Sequence, residues 1–174
     1  MPIERSNRAV PTATLETVAR ELLETSTLCA IATVTPDGLA HVNTAYFAWA
    51  APGFDLVWLS DPAARHSQNL AMNASAAVAV YDSGQTWGGP DRGIQLFGRA
   101  KQACRRDLPH VQEPYRRCFP AYDPTGMDGY RYYRFRTQRL KLFDENTLGP
   151  GVFVTATVLN RRELTYEGTE ISHR

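Results

Sequence analysis

The hydrophobic residues of this chain follow two different periods. Between residues 12 and 26 they recur with the i, i+3, i+4, i+7 spacing of an amphipathic helix, as Leu15, Val18, Ala19 and Leu22. Beyond this segment, apolar residues alternate with polar ones or form short apolar runs between turn residues, which predicts β-strands. The chain is therefore expected to begin with a helix over residues 12–26 and to continue mainly as β-structure.

The predicted strands are separated by residues that favour turns. They span residues 28–34, 40–49, 54–60, 76–81, 93–100, 130–143 (one long strand or a bent pair) and 152–159. The turn Pro36-Asp37-Gly38 joins the first two as a hairpin. Several short strands with two or three peripheral helices predict a mainly β fold, whose antiparallel sheet closes on itself and so removes its exposed edges.

Three further features qualify this pattern. Gly93 and Gly98 lie in one strand and indicate a β-bulge or close approach by another group. Residues 104–118 are compatible with a helix that Pro114 breaks or kinks. The polar residues after 159 are expected to be loose.

Length and composition indicate a single domain over residues 1–174. A chain of 174 residues, 43% of them hydrophobic, buries a core without needing a disulfide or a metal. Cys29, Cys104 and Cys118 are widely spaced, which favours reduced thiols and argues against a zinc site.

Charge and hydropathy narrow the class of partner. The net charge is only +1, so no overall field favours nucleic acid or anionic lipid. The first residues lack the apolar segment of a signal peptide, and no run approaches the roughly 18 apolar residues of a membrane span. These features predict a cytoplasmic protein without a membrane partner.

A strand that runs into a short helix marks the first candidate site. Asp61 is a good N-cap and Pro62 suits the first helical position, so the helix is expected to begin there and to end at Asn73 in the left-handed conformation. Arg65 and His66 then lie beside the free N–H groups and the positive dipole of a helix start, where a phosphate can bind. The alternative is that Arg65 is an ordinary solvated side chain.

Several short motifs occur along the chain in a recognisable order. They are the hairpin Ala30–Gly38, the strand end Leu59-Ser60, the pair Arg65-His66 before Asn73, and Arg92–Gly98. With the opening helix they resemble the flavin-binding split β-barrel family related to pyridoxamine 5′-phosphate oxidase. The resemblance covers about residues 12–145, which leaves 146–174 as a C-terminal extension. The chain is most similar to the poorly characterised YhbP-like branch, through Asn43–Tyr46, Arg65-His66, Arg92–Gln95, Arg116–Pro120 and Asp144–Gly149.

This resemblance implies an antiparallel, Greek-key-like split β-barrel that forms a homodimer and binds FMN at the dimer interface. Ser60 corresponds to a hydroxyl residue near the ribityl chain and phosphate, and Arg65 to the arginine that binds the phosphate. His66 stands where the oxidase has lysine, and a neutral imidazole donates one hydrogen bond and no charge. Related barrels accept the deazaflavin cofactor F420 or haem, which remain alternatives to FMN.

Three other residues are candidates for contact with the cofactor. Gln95 lies mid-strand between apolar residues, and it either meets the pyrimidine edge of the flavin or faces solvent. Asn43 shares a strand face with His41, and this face either lines a pocket mouth or marks where the strand leaves solvent. Trp87, in a glycine-rich loop, is either a lid over the isoalloxazine or an anchor for the loop.

The turn Asp144–Gly151 is predicted to close the substrate side of the pocket. Asn146 and Thr147 bring side-chain donors and acceptors to this turn, while its two glycines and Pro150 fix an uncommon backbone path. The alternative is a plain connector between two strands.

The sequence contains no evident catalytic residue. Neither a Ser-His-Asp order, a His/Cys metal cluster nor a P-loop spacing stands out. Flavin chemistry does not need such groups, because the cofactor itself accepts and donates the hydride. The expected function is an FMN-dependent oxidoreductase that acts on an unidentified small organic molecule by hydride or electron transfer.

A non-catalytic module that binds a cofactor or single-stranded nucleic acid is the alternative function. Residues 130–141 interleave five basic side chains with four aromatic ones, a pattern through which small barrels bind single strands. An edge strand kept soluble by alternating charges explains the same pattern, and this explanation is favoured over nucleic-acid binding.

Overall fold

Ten strands and three α-helices make up the regular structure of the computed structural model, which describes residues 3–123, 126 and 128–173. The strands are β1 (Ile3–Ser6), β2 (Leu28–Val34), β3 (Ala40–Tyr46), β4 (Ala48–Trp49), β5 (Leu56–Ser60), β6 (Ser75–Tyr81), β7 (Arg92–Gln102), β8 (Arg131–Asp144), β9 (Val152–Leu159) and β10 (Glu163–Ser172). The helices are α1 (Thr12–Thr25), α2 (Arg65–Met72) and α3 (Leu108–Cys118), with a 3₁₀ turn at Arg105–Asp107.

The strands form one antiparallel sheet in the order β1-β10-β9-β8-β7-β6-β2-β3. The long strand β8 changes partner along its length: Arg131–Phe135 pair with β5, whereas Arg139–Leu142 pair with β9. Strand β7 pairs with the opposite edge of β8. This division of the sheet around β8 confirms the predicted mainly β split-barrel class.

A β-bulge lies between Phe97 and Gly98, where the register of β7 against β8 shifts. A Cβ atom at Gly98 would overlap the carbonyl oxygen of Arg136, so only glycine fits this close approach of the two backbones. The bulge predicted from the two glycines of this strand is confirmed.

The helix α1 closes over the main core as the hydrophobic pattern predicts. Its buried residues are Leu15, Val18, Ala19, Leu22 and Leu23. They pack in one cluster with interior residues of the sheet, among them Trp58 and Phe135, both fully buried. No helix in the described residues is long and apolar enough to span a membrane.

The predicted strand 40–49 is interrupted at Phe47. The ring of Phe47 is fully buried in the main core, and the two residues that follow form β4, which pairs with β5 instead of β2. The segment 130–143 is a single strand and not a bent pair, because β7 pairs with it on both sides of the bulge.

The helix α3 does not break at Pro114, which corrects the expectation for residues 104–118. Proline costs the helix a backbone hydrogen bond, but Pro114 is buried together with Val111 and Tyr115. Val111 and Tyr115 pack in a second, smaller cluster with Val57 of β5. Burial of this apolar face offsets the lost hydrogen bond.

The residues after 159 are not loose, as the sequence pattern had suggested. They form β10, which pairs with β9 and with β1, a strand that the sequence did not predict. Leu164 belongs to the main core, and the buried hydroxyl of Thr169 donates to the carbonyl oxygen of Arg8 at 2.7 Å. The C-terminal segment is therefore part of the same core as the rest of the sheet.

Candidate cofactor site

The helix α2 begins at Arg65, three residues later than predicted, and Asp61 is not its N-cap. The Asp61 carboxylate accepts the N–H of Ala63 at 2.8 Å, and the Asp61 carbonyl oxygen accepts the N–H of Ala64 at 3.0 Å. These bonds close a turn in front of the helix, an alternative that aspartate commonly offers the backbone. Arg65 and His66 are consequently the first two residues of α2.

The end of α2 also differs from the prediction. Asn73 has φ −137° and ψ 107°, which is extended backbone and not the left-handed conformation. The Asn73 N–H still bonds to the carbonyl oxygen of Asn69 at 2.7 Å, and the Asn73 side chain accepts the N–H of Ser75 at 3.0 Å. The chain thus passes directly from the helix into β6 without a left-handed residue.

The start of α2 offers unused donors and a free cation. No side chain caps the helix, so the N–H groups of its first turn remain available to a ligand. Arg65 is exposed, and it forms no salt bridge with the described residues. The pKa of Asp37, in the β2–β3 turn, is lowered mainly by a hydrogen bond from Thr35 and in smaller part by the Arg65 charge.

Three polar side chains form a hydrogen-bonded chain beside Arg65. The Ser60 hydroxyl lies 2.7 Å from Nε2 of His66, and the Ser67 hydroxyl donates to the Ser60 oxygen at 3.3 Å. Burial lowers the pKa of His66, and the nearby charge of His41 lowers it further. His66 is therefore a neutral imidazole at pH 7 in the free protein.

Asn43 presents an unsatisfied acceptor on the neighbouring strand β3. Its Oδ1 is buried and has no hydrogen-bond partner among the described residues, while its Nδ2 donates to the carbonyl oxygen of Thr44 at 3.3 Å. A buried acceptor without a partner is uncommon, and a ligand N–H group would satisfy it. Asn43 lies two residues from His41, which is near enough to His66 to shift its pKa.

A buried polar pair that sequence reasoning missed holds α2 against β2. Asn69 Nδ2 donates to the Thr33 hydroxyl at 3.0 Å, and both side chains are at most 2% exposed. A hydrophobicity pattern does not reveal such a pair, because both residues are polar and 36 positions apart. The pair fixes the position from which Arg65 and His66 project.

Four predicted site residues are not brought to this cluster within one chain. Gln95 is exposed on the outer face of β7, and Trp87 is 98% exposed in its loop. Asn146 and Thr147 are exposed beyond the end of β8, whereas Ser60 pairs with Arg131 at its start. The structure therefore brings Ser60 into contact with His66 next to Arg65, places Asn43 on β3 two residues from His41, and leaves the other four apart.

The composition of the 144–151 turn has a structural reason. The two carboxylate oxygens of Glu145 accept the N–H groups of Gly151 at 3.0 Å and Asp91 at 3.3 Å. Gly149 and Gly151 adopt positive φ angles of 102° and 66°, and Leu148 is 1% exposed. These contacts explain the glycines of the turn without a ligand.

The aromatic and basic segment does not form an exposed stacking surface. Tyr132, Tyr133 and Phe135 are buried. Salt bridges join Arg134, Arg139 and Lys141 to the carboxylates of Asp55, Glu167 and Glu170 respectively. Three of the four rings of the segment are therefore closed to stacking, and Tyr130, which is 45% exposed, is the remaining one, so the edge-strand explanation stays favoured.

The fold described above is a split β-barrel of the pyridoxamine 5′-phosphate oxidase type. The family model described as pyridoxamine 5′-phosphate oxidase matches residues 15–142, so the chain belongs to this family. A comparison with curated proteins found no match.

Solved structures share this fold at low sequence identity. A haem-binding protein from Mycobacterium smegmatis is 19% identical with a TM-score of 0.69, over 86% of this chain and 60% of its own. The protein Atu2129 from Agrobacterium tumefaciens is 22% identical with a TM-score of 0.64, and the match covers 79% of this chain and 59% of that protein. This chain thus spans about three fifths of both proteins.

A third similar structure matches over nearly its whole length. It is a pyridoxamine 5′-phosphate oxidase-related, FMN-binding protein from Nostoc punctiforme, which is 13% identical with a TM-score of 0.64. The match covers 92% of this chain and 98% of that protein. At such identities the three structures establish the fold alone.

Proposed function

We propose that this chain binds FMN by its phosphate at the start of α2 and acts as an oxidoreductase on a small organic molecule. The observation that carries the proposal is the free Arg65 cation beside the Ser60–His66 pair at an uncapped helix start. A phosphate is the kind of anion that such a helix start binds. The family match and the fold shared with an FMN-binding protein support the same cofactor.

The residues of the site fit FMN chemically. Arg65 would supply the permanent positive charge, and Ser60 a hydroxyl, to the phosphate. Asn43 Oδ1 needs a donor, and the pyrimidine ring of a flavin carries an N–H group. The neutral His66 would add one hydrogen bond, so the phosphate meets one full charge from these residues and not two.

Bound FMN would supply the hydride or electron transfer, since the cofactor carries this chemistry. The residues of the chain would bind and orient it. Arg65 and Ser60 would anchor the phosphate end, and Asn43 would hold the ring end. No acid or base from the protein is required for this role.

A homodimer is the second part of the proposal, because one face of the sheet is apolar and exposed. Its large exposed residues are Leu28, Val34, Val42, Tyr46, Tyr81 and Phe97. Between them lie small side chains that leave the face flat, Ala30, Ala32, Ala77 and Ala79. A contiguous apolar surface of this kind marks an interface. Gln95 projects from the same face and would act across the interface.

The sedimentation mass tests the dimer. The wild-type protein should sediment at about twice the 19.4 kDa chain mass, and Val42→Asp should sediment as a monomer, because the new carboxylate would be buried in the interface without a partner. Leu159→Asp, at another exposed apolar position at the end of β9, serves as the control and should remain dimeric. A wild-type monomer, or a Val42→Asp dimer, contradicts the proposed interface.

The pH dependence of stability tests the state of His66. Its lowered pKa means that, as pH falls through the ordinary value of 6.5, the unfolded state takes up a proton that the folded state resists. The stability of the cofactor-free protein should therefore be complete above pH 6.5 and decline below it. Thermal unfolding of His66→Gln should show a smaller decline, whereas exposed His110→Gln should follow the wild type. Identical pH profiles for wild type and His66→Gln would show that His66 does not titrate in this way.

Haem binding is the alternative function, favoured by one observation. His41 and His66 lie close enough for the charge of one to lower the pKa of the other, and a neutral imidazole is a common ligand of haem iron. The fold is also shared with a haem-binding protein.

An absorption spectrum distinguishes these functions. The protein purified with its cofactor, or the free protein after addition of FMN, should show flavin bands near the positions of free FMN with altered shape. A haem or deazaflavin spectrum would contradict the FMN proposal and identify the alternative. A colourless protein that leaves the spectrum of added FMN unchanged would favour a non-catalytic module.

A further inference from the structure

Strands β7 and β8 place like charges directly opposite one another. Arg99 pairs in register with Arg136, and Lys101 pairs with Arg134, on the face of the two strands that points away from the core. Like charges opposite each other in an antiparallel pair are destabilising. The fold nevertheless keeps two such pairs side by side.

Only one of these cations is neutralised. Arg134 donates from Nε and Nη2 to Oδ2 of Asp55 at 2.9 and 2.6 Å, and its Nη1 lies 3.8 Å from Oδ1 of Asp107. Arg99, Lys101 and Arg136 form no salt bridge with any described carboxylate. The contact between Lys101 and Arg134 is therefore partly relieved, whereas the contact between Arg99 and Arg136 is not relieved by any described carboxylate.

These cations converge on one cleft, which we call the basic cleft. It has a volume of about 400 Å³ and is lined by Arg99, Lys101, Gln102, Ala103, Cys104, Arg106, Asp107, Arg134 and Arg136. Five of these side chains are cationic, and one is a carboxylate. Since the whole chain carries a net charge of only +1, the basic cleft concentrates positive potential at one place.

We propose that the basic cleft is an anion site, separate from the site at Arg65, and that it binds a small, multiply charged phosphate compound such as one carrying a diphosphate group. Guanidinium forks and a lysine ammonium match phosphate oxygens in both charge and geometry. The bound anion would remove the repulsion between Arg99 and Arg136. This inference goes beyond the proposed cofactor function and does not depend on it.

The surroundings favour a small anion over a nucleic acid. Tyr133 and Phe135 alternate with the cations but point to the core and are 3% and 0% exposed, so neither ring is available to stack on a base. The cations also surround one concave cleft and do not follow an extended track.

Thermal unfolding with inorganic pyrophosphate, in buffer without divalent cations, tests the proposal. At a concentration of about ten times its dissociation constant, pyrophosphate should raise the midpoint temperature of thermal unfolding of the wild-type protein by about 3–6 °C. Sodium chloride of equal ionic strength should not raise it. The double variant Arg99→Gln/Arg136→Gln should unfold at a higher temperature than the wild type without anion, because the repulsion is gone. It should lose the response to pyrophosphate.

Matched single variants keep the test interpretable if the double variant does not fold. Arg105 and Arg106 are exposed arginines of the same 3₁₀ turn, but only Arg106 lines the basic cleft. Arg106→Gln should reduce the pyrophosphate response, and Arg105→Gln should retain it. Pyrophosphate can also bind the proposed phosphate site at Arg65, so the two variants are compared again in the Arg65→Ala background, where the difference between Arg105→Gln and Arg106→Gln should persist.

Three results would overturn the proposal. One is a response of the wild type to pyrophosphate that equals its response to chloride. Another is an equal loss in the Arg105→Gln and Arg106→Gln variants, in the wild-type or in the Arg65→Ala background. The third is a larger shift with a single-stranded oligonucleotide than with pyrophosphate at the same phosphate concentration, which would indicate a nucleic-acid surface instead.

Discussion

Replacing Arg65 with alanine should weaken FMN binding about ten- to a hundredfold while leaving the fold intact. Arg65 is exposed and carries no salt bridge in the described structure, so its removal breaks no internal contact. A charge-assisted hydrogen bond to phosphate is lost, and contacts of this kind contribute about that much affinity. Quenching of flavin fluorescence on titration measures the affinity, and thermal unfolding checks the fold.

The same titration with riboflavin provides the control. Riboflavin lacks the phosphate, so its affinity should be the same in wild type and Arg65→Ala. A matched substitution elsewhere, Arg105→Ala, should leave FMN affinity unchanged, because Arg105 is an exposed arginine of the 3₁₀ turn before α3 and not of the start of α2. If the folded Arg65→Ala variant binds FMN as tightly as the wild type, the FMN phosphate does not bind at the start of α2.

The largest loss of stability is expected from Arg134→Met. Asp55 is 3% exposed, and Arg134 is its ion-pair partner at 2.6 Å. Without Arg134, the buried carboxylate retains no cation, and removing one partner of a buried ion pair costs about 3–5 kcal/mol. The midpoint of thermal unfolding should fall by about 6–20 °C.

A double variant separates the effect of the unpaired charge on stability from the effect of lost packing. Asp55→Leu/Arg134→Met removes both charges, and replacing a buried ion pair with apolar residues is often neutral or stabilising. The double variant should therefore recover most of the stability lost in Arg134→Met. An Arg134→Met variant as stable as the wild type, or a double variant no more stable than the single one, would show that the ion pair does not have this role.

Local patterns predicted most of the elements of the fold. The i, i+3, i+4 spacing located α1, because the face that it marks is the face that packs on the sheet. Alternation located the central strands, and Gly98 marked the bulge because no other residue fits beneath the Arg136 carbonyl. In each case the sequence signal lies within a few residues of the element itself, although its cause can be contact with a distant strand, as between Gly98 and Arg136.

The errors arose where distant partners decide the structure. β1 is short and exposed, and β10 is polar, so neither carries a strong strand pattern; each forms because it pairs with the other. Pro114 suggested a break that burial of α3 overrides. At α2, a hydrogen bond from Ala63 to the Asp61 side chain replaced the expected N-cap.

The sequence predicted only part of the candidate site, because distant partners also decide which residues lie near it. Ser60, Arg65 and His66 lie within seven positions, so the sequence placed them together, and the structure adds the contact between Ser60 and His66. The unsatisfied Asn43 oxygen and the facing cations of β7 and β8 depend on strand register, which the sequence does not state. The roles of Gln95, Trp87, Asn146 and Thr147 at the site would require the proposed dimer and stay predictions.

Titration of the cofactor-free protein with FMN and with riboflavin tests the central claim most directly, because the two ligands differ only in the phosphate. If the phosphate binds at Arg65 and Ser60, FMN should bind at least about ten times more tightly than riboflavin, in line with one charge-assisted contact or more. Equal affinities for the two flavins, or no binding of FMN, would contradict the assignment of this chain as an FMN protein that holds its cofactor at the start of α2.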